Sequence, residues 1–95
     1  MTLKDWHIRP ENPRSGELGA DQFLKVADQF ISLANTRNKK IVATDLHYAM
    51  LYAAARYNAH VGKNVLEVAA HDEFIEHMTR QYADMLREHM ADPTV

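Results

Sequence analysis

The chain has 95 residues, of which 46% are hydrophobic, with 11 basic and 13 acidic side chains and no cysteine. This length allows a single domain, and the lack of cysteine excludes disulfides and thiolate metal sites. A net charge of −2 does not favour nucleic-acid binding, which depends on Lys and Arg contacts to phosphates.

No apolar stretch approaches the roughly 20 residues that a membrane-spanning helix needs. The first ten residues contain no apolar signal segment, so we expect a cytoplasmic protein that contacts no membrane. A domain this small buries only a modest share of its surface. Because disulfides are excluded, self-association is a natural way to complete its core.

Residues 1–20 are predicted to form an irregular N-terminal arm. This segment holds two of the three prolines and two of the three glycines, a composition that breaks helices and strands. Its largest apolar side chain is Trp6. The arm is either partly disordered or packed on the domain through Trp6, or it is a tail that binds a partner. Terminal segments are commonly loose, which favours the first two interpretations over the third.

The helical domain is predicted to cover residues 21–92, and its first two helices have recognisable ends. Asp21 is a candidate N-cap for a helix that ends near residues 35–38, where Asn and basic residues suit a C-terminus. Thr44 is the next candidate N-cap. This second helix should run to about Val61, with Gly62 as a left-handed C-cap.

The rest of the chain predicts one long helix and an additional short one. Residues 72–90 repeat apolar side chains at helical spacing. Asn64 and Glu67 resemble a capping pair, so a separate turn of helix within 64–70 would make a fourth. We therefore predict an all-α protein, a small up-and-down bundle of three or four helices.

The middle helix is apolar on two opposing sides of the helical wheel. One side contains Leu46, Met50, Tyr57 and Val61, which neighbouring helices should cover. The opposite side contains five apolar residues, namely Tyr48, Leu51, Tyr52, Ala55 and Ala59.

A helix with this pattern is normally enclosed by protein on both sides. The Tyr/Ala-rich side is therefore predicted to be a subunit interface in a homo-oligomer, most simply a dimer, because Tyr combines contact area with a hydrogen-bonding group. The alternative is that the neighbouring helices of a monomer cover both sides, with the tyrosine hydroxyls reaching solvent.

Arg56 lies in an Ala-rich stretch between two tyrosines, where a charge needs a partner or an aromatic ring. One interpretation is an ion pair within the chain, for example with Asp28 or Asp45. The other is a site for an anion or a carboxylate ligand, which the planar guanidinium can bind through two hydrogen bonds.

No catalytic or metal chemistry is supported by the remaining motifs. Glu73 and His77 are four residues apart and can face one ion, but two ligands are too few for a metal site. The only serines are Ser15 and Ser32, and neither lies in a nucleophile motif. We expect no metal and no cofactor, and an enzyme remains a third option without assignable residues.

Three blocks carry a family resemblance: ADQFISLAN at 27–35, LYAAARYNA at 51–59 and QYADMLREHMAD at 81–92. They resemble DUF3144, a small bacterial family of unknown function, over about residues 21–92. The resemblance implies a bacterial, intracellular helical protein and supplies no catalytic residues. Within the matching blocks, the polar residues set among apolar ones are Asn35, Arg56 and Asn58.

Two functional hypotheses follow. The first is a non-enzymatic, self-associating interaction module, based on the two apolar sides of the middle helix. The second is a small-ligand or anion-binding protein centred on Arg56. Its candidate ligand-binding residues are Arg56, Asn58, Asn35, Tyr52 and Tyr57.

Overall fold

The computed structural model describes residue 9, residues 11–12 and residues 14–95, and within these ranges it is all-helical with no strand. Its elements are α1 (Ala20–Arg37), α2 (Ala43–Asn64) and α3 (His71–Ala91). Residues Arg9–Glu67, with α1 and α2, form one unit, and residues Val68–Val95, with α3, belong to another. The all-α class is confirmed, whereas the up-and-down arrangement and the division into arm and domain stay predictions.

α1 begins one residue before the predicted cap. Gly19 is the N-cap, and Asp21 lies in the first turn, where its negative charge suits the helix dipole. The Gln22 side chain accepts a hydrogen bond from the Gly19 N–H at 3.4 Å, which satisfies one of the free donors at this end. Ahead of the helix, Arg9 donates to the Leu18 carbonyl at 3.0 Å and lies 5.2 Å from the centroid of the Phe23 ring.

α2 is longer than predicted at both ends. Val42, not Thr44, is the N-cap, and Asp45 lies in the first turn. At the other end the helix continues through Gly62 to Asn64. Gly62 is not a left-handed C-cap, because among the described glycines only Gly16 has a positive φ.

No fourth helix forms between α2 and α3. Asn64 does not cap a new helix, because its side chain reaches back to the His60 carbonyl at 3.2 Å within α2. Glu67 has a φ of 52°, in the left-handed region that a right-handed helix cannot include. The segment 65–70 is therefore a non-helical connection, and α3 begins at His71, one residue from the predicted start.

The described part of the predicted N-terminal arm contains a turn. Trp6, with the rest of residues 1–8, lies outside the described residues, as do Pro10 and Pro13. Residues 14–17 form a turn in which the Glu17 N–H donates to the Arg14 carbonyl at 2.8 Å, with Gly16 at a φ of 87°. The role of Trp6 stays a prediction.

Gly62 is the only buried residue among those described, and no apolar side chain is fully buried. Each helix has an apolar stripe, yet the side chains that come nearest to a core are half-buried. Folding removes roughly 1–2 kcal/mol of backbone entropy per residue, and apolar burial is the main term that offsets it. The large apolar side chains of the described residues are thus left mostly in water.

Candidate functional site

The most distinctive surface of the described residues is one side of α2, which we call the tyrosine face. Tyr48 and Tyr52 are four residues apart and are 66% and 70% exposed. Leu51 is also exposed between them, and the small residues that continue the surface toward the C-terminal end are Ala55 and Ala59. A helix side with two large exposed aromatic side chains beside small residues allows another helix to approach closely.

The opposite side of α2 is better covered. Leu46 and Val61 are half-buried, and Met50 is 37% exposed. Tyr57 is the exception, because its side chain is 68% exposed and its ring lies 6.2 Å from that of His60. Within the unit Arg9–Glu67, the tyrosine face is thus more exposed than the side that contains Leu46 and Val61.

α1 adds a second exposed apolar surface that the sequence did not single out. Phe23, Val26 and Ala34 are half-buried. Phe30 lies on the same side of the helix at the usual 3.6-residue spacing, but it is 64% exposed, and Ile31 and Leu33 are exposed as well. Apolar periodicity could not have distinguished the exposed residues from the half-buried ones, because it identifies the apolar side of a helix without showing which of its side chains other residues cover.

The unit Arg9–Glu67 exposes enough apolar surface to form an interface. Fully burying a large apolar side chain stabilises by about 1.5–3 kcal/mol, which corresponds to roughly 60–120 Å² at about 25 cal/mol per Å². The unit contains thirteen large apolar side chains that are 37% to 70% exposed. Covering half of each would remove on the order of 600 Å² of apolar surface from water, comparable with the roughly 800 Å² that each partner contributes to a stable interface.

Three of the candidate ligand-binding residues project from different sides of α2. Arg56, Tyr57 and Asn58 are consecutive in α2, so they project about 100° apart around the helix. Arg56 is exposed and Asn58 is half-buried, while Asn35 is exposed near the end of α1. Their role in binding a ligand stays a prediction.

Arg56 has no charged partner in the described part of the chain. Neither Asp28 nor Asp45 lies within the 4.0 Å limit of an ion pair, and its guanidinium does not stack on a described aromatic ring. The expected ion pair with one of these carboxylates is therefore not formed. A guanidinium on an exposed helix remains hydrated and needs no partner.

Two surface hollows are defined by residues of Val68–Val95, and neither contains a candidate ligand-binding residue. One lies near the start of α3, lined by Val68–Ala70, Glu73, Phe74 and His77, and the other lies near its end. The His77 Nε2 atom has no hydrogen-bond partner in the part of the chain that the structure describes. Among the described residues, no group of three or more His, Asp or Glu side chains could hold a metal ion.

Three ion pairs between described residues join side chains that are close in sequence. The ion pairs Arg14–Glu17, Glu76–Arg80 and Asp84–Arg87 all join side chains three or four residues apart, and exposed pairs of this kind contribute little to stability.

Two carboxyl groups titrate below their usual range. The Arg14 backbone N–H and side chain hold the pKa of Glu17 below its ordinary value, and the Thr94 N–H and hydroxyl do the same for the pKa of Asp92.

These residues define an all-helical protein whose most prominent surfaces are exposed and apolar. No described helix combines the length and hydropathy needed to cross a membrane. The family model DUF3144, described as a protein of unknown function, matches residues 23–93, and the chain belongs to this family. The resemblance noted in the sequence is thereby confirmed. Comparison with curated proteins and with solved structures found no match.

Proposed function

We propose that this chain is a non-enzymatic, self-associating helical interaction module whose basic form is a homodimer joined through the tyrosine face. The observation that carries the proposal is the absence of any fully buried apolar side chain among the described residues, in a sequence that is 46% hydrophobic. A second copy of the chain is the simplest partner to cover the exposed apolar side chains, because it carries the same surface and is always present at equal concentration. Two-fold symmetric dimers are also the commonest oligomers.

The residues of the tyrosine face suit this role. Tyrosine supplies a large, rigid contact area together with a hydroxyl group that remains hydrogen-bonded when the ring is covered. Ala55 and Ala59 follow Leu51 at intervals of four residues, so the small side chains allow the helices to approach closely. The exposed apolar residues of α1 belong to the same unit and enlarge the surface available for association.

Association and folding are coupled in this proposal. Isolated helices of 18 to 22 residues with ordinary composition are marginal in water, and most helical stability comes from packing of an apolar side. The separated chain is therefore expected to lose helix. A location in the bacterial cytoplasm is part of the same proposal, supported by the family resemblance, and cell fractionation tests it.

The direct test is sedimentation equilibrium combined with circular dichroism over a dilution series. We expect a particle of twice the 10.9 kDa chain mass, which converts to the chain mass on dilution as the helical signal falls. A particle of the chain mass at all concentrations, with unchanged helicity, would overturn the proposal, because the exposed apolar residues would then be tolerated without a second copy.

A further inference from the structure

We infer that residues 65–70 are a conformational switch that allows α2 and α3 to join into one continuous helix. We call the form in the structure the interrupted form, because α2 ends at Asn64 and α3 begins at His71. In the continuous form, residues 43–91 make a single helix. The inference goes beyond the proposed function and does not depend on it, because a single chain can change in this way.

The sequence of the connection contains no signal that stops or starts a helix. Residues 65–70 read VLEVAA, without Gly, Pro, Asn, Asp, Ser or Thr, which are the residues that usually end or begin helices. Leu, Glu and Ala are instead good helix formers. The local preference of this segment therefore opposes the interruption that the structure contains.

The two helix ends at the connection have no side-chain caps. Val65 is the C-cap of α2 and still has a right-handed backbone, with a φ of −110° and a ψ of −53°. Ala70 is the N-cap of α3 and makes no side-chain hydrogen bond to the first turn, since alanine has no group that can cap a helix. Neither end is thus fixed by its own residues.

The connection also leaves backbone donors unused. The Leu66 N–H donates to the Val61 carbonyl at 2.9 Å, and the next amide along the described chain that donates to a backbone carbonyl is that of Phe74, to Ala70 at 3.2 Å. In the continuous form, the amides of residues 67–73 each donate to the carbonyl four residues earlier. Joining the helices therefore adds helical hydrogen bonds that the interrupted form lacks.

The interruption depends on an unfavourable backbone angle at Glu67. Its φ is 52°, and no other described residue except glycine has a positive φ. For a residue with a side chain this region is disfavoured roughly 5- to 30-fold relative to the right-handed helix. Rotation of Glu67 into the right-handed region removes this cost and continues α2. The boundary between the two units of the chain falls after Glu67, so the rotation takes place at the border of the units.

The apolar residues of α2 and α3 keep one phase across the connection. Four of them follow one another at intervals of seven, namely Val61, Val68, Ile75 and Tyr82. The position three residues after each of these holds Asn64, His71, Met78 and Met85. A repeat of seven with two such positions places these side chains along one side of a continuous helix. An inserted or missing residue in the connection would have broken this phase, so the sequence suits the continuous form as well as the interrupted one.

Pulsed electron paramagnetic resonance tests the inference, because the chain has no cysteine of its own and can be labelled at chosen positions. Lys63→Cys and Glu88→Cys are introduced together, since both positions are exposed. In the continuous form they lie about 38 Å apart along the helix. The labelled chain is diluted into an excess of unlabelled chain, so that only distances within one chain are measured, whether or not the chain associates.

We expect a component near 38 Å that holds about 5% of the chains or more, within the range of minor conformers. Glu67→Gly should remove it, because glycine adopts the positive φ freely and weakens the helix about fivefold, which together lower the ratio of continuous to interrupted chains by roughly 25-fold or more. Glu67→Ala is the matched control. It removes the carboxylate but keeps the cost of a positive φ, so the component should stay within about twofold of its original size.

Three results would each overturn the inference. These are the absence of the component from the chain with Glu67, its persistence in Glu67→Gly, and its loss in Glu67→Ala to the same extent as in Glu67→Gly. None of them bears on the proposed dimer, which sedimentation tests separately.

Discussion

Replacing Tyr52 with alanine removes the largest exposed side chain of the tyrosine face while leaving the helix intact, because alanine has the highest helix propensity. An aromatic side chain covers about 150–250 Å² when buried, and Tyr52 is 70% exposed. A partner would therefore remove roughly 100–170 Å² from water, worth about 2.5–4 kcal/mol per copy at about 25 cal/mol per Å². Because buried area converts incompletely into binding affinity, we expect Tyr52→Ala to reduce the free energy of dimer formation by on the order of 2–3 kcal/mol per dimer.

Such a loss raises the dissociation constant roughly 30- to 150-fold, which sedimentation equilibrium over a dilution series can measure. Tyr57→Ala is the matched control. Tyr57 is 68% exposed in the same helix, but it lies five residues from Tyr52 and so projects about 140° away. We expect its dissociation constant to stay within threefold of the unmodified chain. Equal weakening by both variants, or no effect of Tyr52→Ala, would refute the assignment of the interface to the tyrosine face.

Three further predictions concern local structure. Glu67→Gly should raise the free energy of unfolding by up to about 1 kcal/mol in urea denaturation, because glycine adopts the φ of 52° without strain; a lower stability would contradict this. Arg14→Ala should raise the pKa of Glu17 part of the way toward its ordinary value in a carboxyl NMR titration, because the side-chain contact is lost while the backbone N–H remains. In the unmodified chain, the contact stabilises the fold above the pKa of Glu17 in the unfolded state, and this stabilisation is lost as the pH falls through the lower pKa of the folded state. Arg56→Ala should change stability by less than about 0.5 kcal/mol, since the side chain is exposed without an ion-pair partner among the described residues, and a loss above about 1 kcal/mol in thermal melts would show a structural role.

The positions of the helices could be predicted from the sequence because they depend on nearby residues. Sequence patterns located the starts of α1 and α3 to within about two residues. The family blocks lie within the three helices, except that the last block ends on Asp92, the C-cap of α3. The ends of α2 were less predictable. Thr44 and Gly62 have the right residue types for caps, but backbone hydrogen bonds begin at the Val42 carbonyl and continue to the Val65 N–H.

The candidate surfaces were only partly predictable. The tyrosine face followed from the sequence, because two opposing apolar sides on one helix can be seen on a helical wheel. Which apolar residues of α1 and α3 are exposed did not follow from the sequence. Phe30 shares a side with the half-buried Phe23, and Ile75 adjoins the half-buried Phe74, so residue type and spacing do not distinguish them.

For this protein, the sequence alone determined the all-helical class, the location of three helices and the apolar character of their stripes. These properties come from side-chain spacing and backbone preferences that act within a few turns. The tertiary structure decided which half of each stripe is covered, that α2 continues through the buried Gly62, and that Glu67 turns the chain before α3. Coverage is a property of residues distant in the chain, because a side chain is removed from water only by what packs against it.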